Sequence, residues 1–296
     1  MTKATAAPGL DRTIQLRDGR RLAYSEWGDL GGRPMVLLHG NPGSRLFCPD
    51  EEATESAGVR LLTIDRPGYG RSDPQLGRTL LSWVDDYVEF VEQLDLPPSP
   101  VLGWSGGGRY ALSAAFRAPD LVPTIGVVAG RGPLDEVPGA IDALPPEDKA
   151  IFDLLATDPQ AAHIAIARDA AWLEGDGWNT MFATGQDVHS WGEADDRVLA
   201  EPSTLEAMKG MMREAARQGS AGYQADIAAG WMPWGFSVAD IRQAVRIWWG
   251  ESDIDTDRLG SDYLAASIPG ATLVTYPGEG HLVPINRWAE MLAALR

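Results

Sequence analysis

Apolar residues in this chain fall into short unbroken runs, separated by stretches in which they recur every three or four positions. Pro34-Met35-Val36-Leu37-Leu38 has no polar break and ends in His39-Gly40. Val59 to Asp65 behaves alike and ends in the Gly- and Pro-rich loop Arg66 to Pro74, and Val101-Leu102 leads through Gly103-Trp104 to Ser105. Runs this short and continuous predict strands buried on both faces. A weak helix is expected after the first run. Between the second and third, Leu80, Val84, Tyr87, Val88, Val91 and Leu94 form a helical stripe. Strict alternation occurs only near the start, where Thr13–Leu16 and Arg21–Trp27 flank Asp18-Gly19 and predict a hairpin. A helix through Phe116 and a strand over Val122–Ala129 follow.

Such strand–helix alternation predicts an α/β protein with a parallel sheet covered on both faces, because parallel neighbours need crossover connections. From Gly132 to about Gly235 no strand pattern appears, and Pro133, Pro138, Pro145, Pro146, Pro159 and Pro202 punctuate a helical and loop-like stretch. Strand patterns resume at Val245–Gly250 and Thr272–Tyr276, and a closing helix is expected over Ile285–Leu295. The reading is therefore a sheet domain formed by residues 1–131 and 236–296, with a helical insertion at 132–235. Tryptophan and methionine are frequent in the insertion. They either hold a small helical unit together or roof an apolar pocket. Met181, Met212, Trp231 and Trp234, with Trp104 beside Ser105, are the pocket candidates.

Charge and composition narrow the partners. The chain has 296 residues, 44% hydrophobic, and a formal net charge of −17, which disfavours nucleic acid and anionic membrane surfaces. Most of the acidity lies in the insertion, with 18 acidic against 6 basic residues. The lone Cys48 permits no internal disulfide and reads as a small buried hydrophobe. No apolar stretch approaches a signal peptide core or the roughly 20 residues of a membrane span, and a cytoplasmic protein is expected. His39, His163, His189 and His281 are too scattered in sequence to suggest a metal site.

Gly103-Trp104-Ser105-Gly106-Gly107 carries the most specific chemistry. A strand-to-helix turn this tight strains the serine backbone and leaves no room for side chains two residues either side. The following glycines let the helix start close to the sheet, with free N–H groups near the hydroxyl. The pentapeptide alone is equally a glycine-rich turn with an incidental serine. A nucleophilic serine also needs a base and a group to orient that base. His281, in Gly278-Glu279-Gly280-His281-Leu282 between the last strand and the last helix, is the candidate base. His163 lies in an alanine-rich helix and His189 in a polar loop, and both read as structural or exposed, as does His39. Candidate acids crowd the turn after Trp249: Glu251, Asp253, Asp255 and Asp257. Finally, the turn His39-Gly40-Asn41-Pro42-Gly43-Ser44 can aim the Asn41 N–H at the same point as the Gly106 N–H, to stabilise an oxyanion.

Together, His39-Gly40-Asn41-Pro42, Asp65 to Ser72, Gly103 to Gly107, Gly250-Glu251-Ser252-Asp253 and Gly280-His281, in that order, resemble the α/β-hydrolase family over nearly the whole chain. The resemblance implies a mostly parallel, eight-stranded sheet, with the insertion as a cap between strands six and seven. It implies Ser105 as nucleophile, His281 as base and then acid, and the Asn41 and Gly106 amides as oxyanion hole. The orienting acid is Asp253 by the family's spacing from the strand-ending glycine, with Asp255 as the fallback. Ser105 separates the chain from dehalogenases and epoxide hydrolases, which carry aspartate at the elbow, and Asn41 departs from the His-Gly-Gly-Pro-Gly of proline iminopeptidases. The expected activity is that of a cofactor-independent serine hydrolase acting on an ester of a small or medium, largely apolar molecule. Alternatives are carbon–carbon hydrolysis, lactone opening or cyclisation by the same residues, or ligand binding with little turnover.

Overall fold

The computed structural model describes residues 10–182 and 191–296. His189, expected in a polar loop, and the chain start lie outside the described residues. Eight strands form one sheet in the order β1-β2-β4-β3-β5-β6-β7-β8. β1 (Leu10–Gln15) and β2 (Arg21–Gly28) pair antiparallel, joined by a turn in which Gly19 takes a φ of 91° and its N–H donates to Leu16 O. β2 is also antiparallel to β4 (Val59–Ile64). From there every pairing is parallel, through β3 (Arg33–Leu38), β5 (Val101–Trp104), β6 (Thr124–Val128), β7 (Ala244–Gly250) and β8 (Thr272–Tyr276). The buried β3 to β6 are the unbroken apolar runs of the sequence. Their carboxyl ends share one sheet edge, where open α/β sheets hold ligands.

Helices cover both faces. α2 (Leu80–Gln93) and α3 (Gly107–Arg117) pack on one through Trp83, Phe90 and Leu112. α1 (Glu51–Ser56) and α10 (Val283–Ala294) pack on the other, where Trp288 and Met291 join Met35 and Leu61. α2 starts at a capping box of Thr79 and Ser82, which satisfies amides that the first turn leaves open. Most expected element ends are within two residues of those observed; the largest shift is β1, which begins at Leu10 instead of Thr13, and α10 begins at Val283 instead of Ile285, directly after the His281 loop.

Between β6 and β7 the described residues contain helices and no strand: α4 (Pro146–Thr157), α5 (Pro159–Asp169), α6 (Glu193–Leu199), α7 (Pro202–Ala215) and α8 (Ala221–Trp231), with short 3-10 turns. Three of the punctuating prolines, 146, 159 and 202, open helices, where a missing N–H costs nothing. The apolar side chains of this segment pack in two places: Leu144, Ile151, Ile166 and Trp231 form a cluster within it, whereas Met208, Met211 and Met212 of α7 join the cluster that contains Met35, Leu61 and Trp288. No described helix is long and apolar enough to cross a membrane. Cys48 packs against the core, and burial, then Glu51, pushes its thiol far above the usual range.

Candidate active site

Ser105 sits between β5 and α3 with a φ of 52°, a left-handed conformation that a non-glycine residue adopts only when its surroundings enforce it. The enforcement is visible. Its N–H donates to Val128 O at 2.7 Å, a Cβ on Gly103 would run into the Gly107 carbonyl, and one on Gly107 into the Leu38 carbonyl. Only glycine at 103 and 107 lets strand, turn and helix pass this closely.

His281 follows β8 and is held at three points. Its ring Nδ1 lies 3.0 Å from Asp253 Oδ2, its backbone N–H donates to Asp195 at 2.8 Å, and its carbonyl accepts from the Trp104 indole at 3.0 Å. Asp253, in the turn after β7, also accepts from the Asp255 and Thr256 amides and from the Thr256 hydroxyl. Burial opposes charge on both members of the pair. Their mutual attraction outweighs it, holding the carboxyl below the usual range and raising the imidazole to about 9. Asp255 gives its amide to Asp253, and it is the Asp253 carboxylate that bonds Nδ1 of the ring. Ligand atoms of Asp253, Asp255 and His281 lie within 4.8 Å of one another, close enough for a cation to bridge, yet the Asp253 oxygens already accept four hydrogen bonds. The group fits an orienting acid better than a metal centre.

The turn after β3 lies against the Ser105 turn: a Cβ on Gly106 would strike the Asn41 side chain. His39 is buried and neutral, its pKa driven well below normal by burial and then by Arg66; Nδ1 bonds to Gly40 O and Nε2 accepts the Arg66 amide. Arg66 braces this turn from below, its guanidinium donating to the carbonyls of His39 and Gly40 and to Asn41 Oδ1. Its own charge meets Asp226 of α8 at 2.6 Å. Asp226 is fully buried and takes Arg66, Arg78, Tyr69 and Tyr110 on its two oxygens. Although burial pushes its carboxyl up, the surrounding guanidiniums hold it far below the usual range.

A cavity of about 630 Å³ opens over Ser105 and His281, between the sheet edge and the helices that follow β6, a volume suited to a small organic ligand. Asn41, Gly106 and all five pocket candidates, Trp104, Met181, Met212, Trp231 and Trp234, line it. Trp104 is the least free of these, since it stacks on Phe47 with ring centres 4.4 Å apart and spends its indole N–H on His281. His163 is exposed on α5 and bonds to Pro159 O, away from the cavity. Sequence reasoning overlooked three charged residues. Arg109 lines the cavity from the first turns of α3, while Asp195 and Asp226 lie outside its lining and hold the His281 loop and Arg66 from the helical segment. Asp195 is completely buried; besides the His281 amide it accepts the Leu282 amide at 2.8 Å, and a Cβ on Gly280 would collide with it. Burial raises this carboxyl to about 6 against the pull of the two amides. Its only sequence mark is the Gly280 beside His281, a close approach without a visible partner.

The model of the α/β hydrolase fold family matches residues 33–287. A non-heme chloroperoxidase of Streptomyces lividans is 33% identical over 125 residues, 41% of this chain and 45% of that protein. A 2-hydroxy-6-oxononadienedioate/2-hydroxy-6-oxononatrienedioate hydrolase of Cupriavidus pinatubonensis is 30% identical over 137 residues, 43% of this chain and 47% of that protein. The chain spans between about a third and a half of the curated relatives it matches. Among solved structures, a hydrolase from Pseudomonas aeruginosa superposes with a TM-score of 0.69 at 21% identity, over 97% of each chain.

Proposed function

The chain belongs to the α/β hydrolase fold family, and on that footing we propose that it is a cofactor-independent serine hydrolase. It cleaves an ester or related acyl bond of a small to medium, largely apolar substrate through an acyl-Ser105 intermediate. The observation that carries this reading is the 3.0 Å contact of His281 with Asp253 at the rim of the cavity that contains the strained Ser105. In this account, with Nδ1 committed to Asp253, Nε2 takes the Ser105 proton as the hydroxyl attacks the acyl carbon. Asp253 stabilises the resulting imidazolium. The Asn41 and Gly106 N–H groups donate hydrogen bonds to the negatively charged tetrahedral oxygen, a role worth about 3–4 kcal/mol per donor. The imidazolium then protonates the leaving alcohol, and a water deprotonated by the same ring releases the acid. Residues 132–235 act as a cap over residues 1–131 and 236–296, and the enzyme works on a soluble substrate in the cytoplasm.

The test is Ser105→Ala with short 4-nitrophenyl esters. Turnover should fall by a factor on the order of 10³ or more with the melting temperature retained; undiminished hydrolysis would remove the assignment. The relation to the 2-hydroxy-6-oxononadienedioate/2-hydroxy-6-oxononatrienedioate hydrolase of C. pinatubonensis favours a second reading, in which the same residues cleave a β-diketone-type bond or a lactone. A wild-type protein fast on diketones or lactones and slow on simple esters would select it.

A further inference from the structure

Behind the Ser105 turn lies a buried cluster whose charges do not balance. Arg66, Arg78 and Arg109 are each at most 8% exposed and gather around the Tyr110 ring, with guanidinium carbons 4.9–5.9 Å from its centre. Asp226 is the carboxylate they share, and its oxygens are taken by Arg66, Arg78, Tyr69 and Tyr110. Arg109 reaches only the main-chain carbonyl of Asp226, through Nη2 at 3.1 Å, and its Nε is buried without an acceptor among the described residues. His39 is neutral and adds no charge. Three guanidiniums against one carboxylate leave an excess of two positive charges, and buried charge that the protein does not pair is costly unless a ligand pairs it.

Of the three arginines, Arg109 alone lines the cavity, together with Ser105 and His281. The protein makes room for it. Gly230 of α8 lies over the guanidinium, and a Cβ there would overlap Nη1, while Trp231 and Trp234 line the cavity on the same helix end. The cavity also carries Asp148 of α4, Asp169 of α5, Asp255 of the turn after β7, and Arg131; burial foremost, and Arg66 further on, lower the Arg109 pKa. A chain of net charge −17 therefore turns a positive charge toward the space where an acyl group would lie.

We propose that Arg109 is the docking point for a carboxylate on the substrate, so that the molecule cleaved at Ser105 is an acid-bearing ester or acyl compound with an apolar body. Because Ser105 and Arg109 line the same cavity, a carboxylate on Arg109 would be joined to the scissile carbonyl by a spacer that the cavity holds. What is cleaved rests on the serine hydrolase reading; what is bound does not, and the two can be tested separately. For cleavage, 4-nitrophenyl hydrogen glutarate, adipate and suberate are each compared with the methyl ester of the same half-acid. Wild-type protein should prefer at least one acid by tenfold or more in kcat/KM, and Arg109→Met should reduce that ratio at least tenfold while Arg109→Lys keeps part of it. Methyl esters turned over as well as all three acids would overturn the proposal and leave the hydrolase reading standing. For binding without turnover, calorimetry follows adipate and suberate on Ser105→Ala and on the double variant with Arg109→Met. Binding lost with the arginine supports the site, and no binding to Ser105→Ala overturns it. Because the cation is in excess, Arg109→Met should melt no lower than wild type. A clear fall in melting temperature would mean that Arg109 serves the fold instead.

Discussion

The sheet-edge side of the cavity and its helical side hold their polar groups in different ways. At the sheet edge, Ser105, Asn41, Asp253 and His281 sit in the loops that follow strands, where close backbone approaches and hydrogen bonds hold them. On the helical side, Asp195 and Asp226 lie inside helices and act at a distance: Asp195 on the amides of His281 and Leu282, Asp226 on guanidiniums that brace the Asn41 turn. The two acids also differ from each other. Asp226 is surrounded by cations and held ionised, whereas Asp195 has only backbone amides and is raised to about 6. The lesson is that the reactive groups come from the strands, while their positions are locked by carboxylates contributed from the helices over them.

Three substitutions separate the sides. The largest effect belongs to the sheet edge. Asp253→Asn should lower kcat by a factor on the order of 10³–10⁴, as loss of an orienting acid does in serine hydrolases, with little change in melting temperature. It should also change the pH dependence. The His281 pKa is raised in the folded protein to about 9, so the pair's stabilisation is complete below the unfolded value of roughly 6.5 and is lost as pH rises through the folded one. Over the same interval the ring becomes neutral and able to act as a base. Activity of the wild type should therefore climb from neutral pH into the alkaline range, and in Asp253→Asn this limb should move to lower pH. A limb that stays where it was would mean that Asp253 does not set the charge on His281.

Next in size is the helical anchor. Asp226→Ala leaves three buried guanidiniums without a carboxylate and should cost about 3–5 kcal/mol, read as a large fall in the denaturant midpoint. A smaller fall, below about 1 kcal/mol, would mean that the cluster relaxes and that the helical side is not locked through it. The smallest effect on turnover is expected at Asp195. Asp195→Ala removes the acceptor of the His281 and Leu282 amides and frees the His281 loop, so kcat should fall on the order of tenfold while KM stays nearly constant. Asp195→Asn retains one acceptor and should recover part of the loss; an unchanged kcat in Asp195→Ala would make that residue purely structural.

The same division decides what was legible in the sequence. Gly103 is required by the Gly107 carbonyl four residues on, whereas Gly107 and Gly280 are required by Leu38 and Asp195 far along the chain; all three are nevertheless visible in the sequence as glycines beside Ser105 and His281. The antiparallel hairpin and the buried strands were equally readable, because period and turn chemistry are local. Asp195 lies in Glu193-Ala194-Asp195-Asp196, where three acids look alike and one is buried; Asp226 and Arg109 read as ordinary polar positions on helices. What distinguishes them is a partner 86, 160 or 117 residues away, and nothing in an acidic helical stretch announces it. The loop from Asp65 to Ser72 is structural as expected, with Asp65 buried against Arg45. Its Arg66 nevertheless supports the turn that carries Asn41.

The central claim, that Ser105 is a nucleophile activated by His281, is tested most directly by mass spectrometry after incubation with an alkyl fluorophosphonate. One adduct per chain should form, on the peptide containing Ser105, strongly slowed in His281→Ala and absent in Ser105→Ala. A folded wild-type protein that takes no label, or takes it on another residue, would contradict the account.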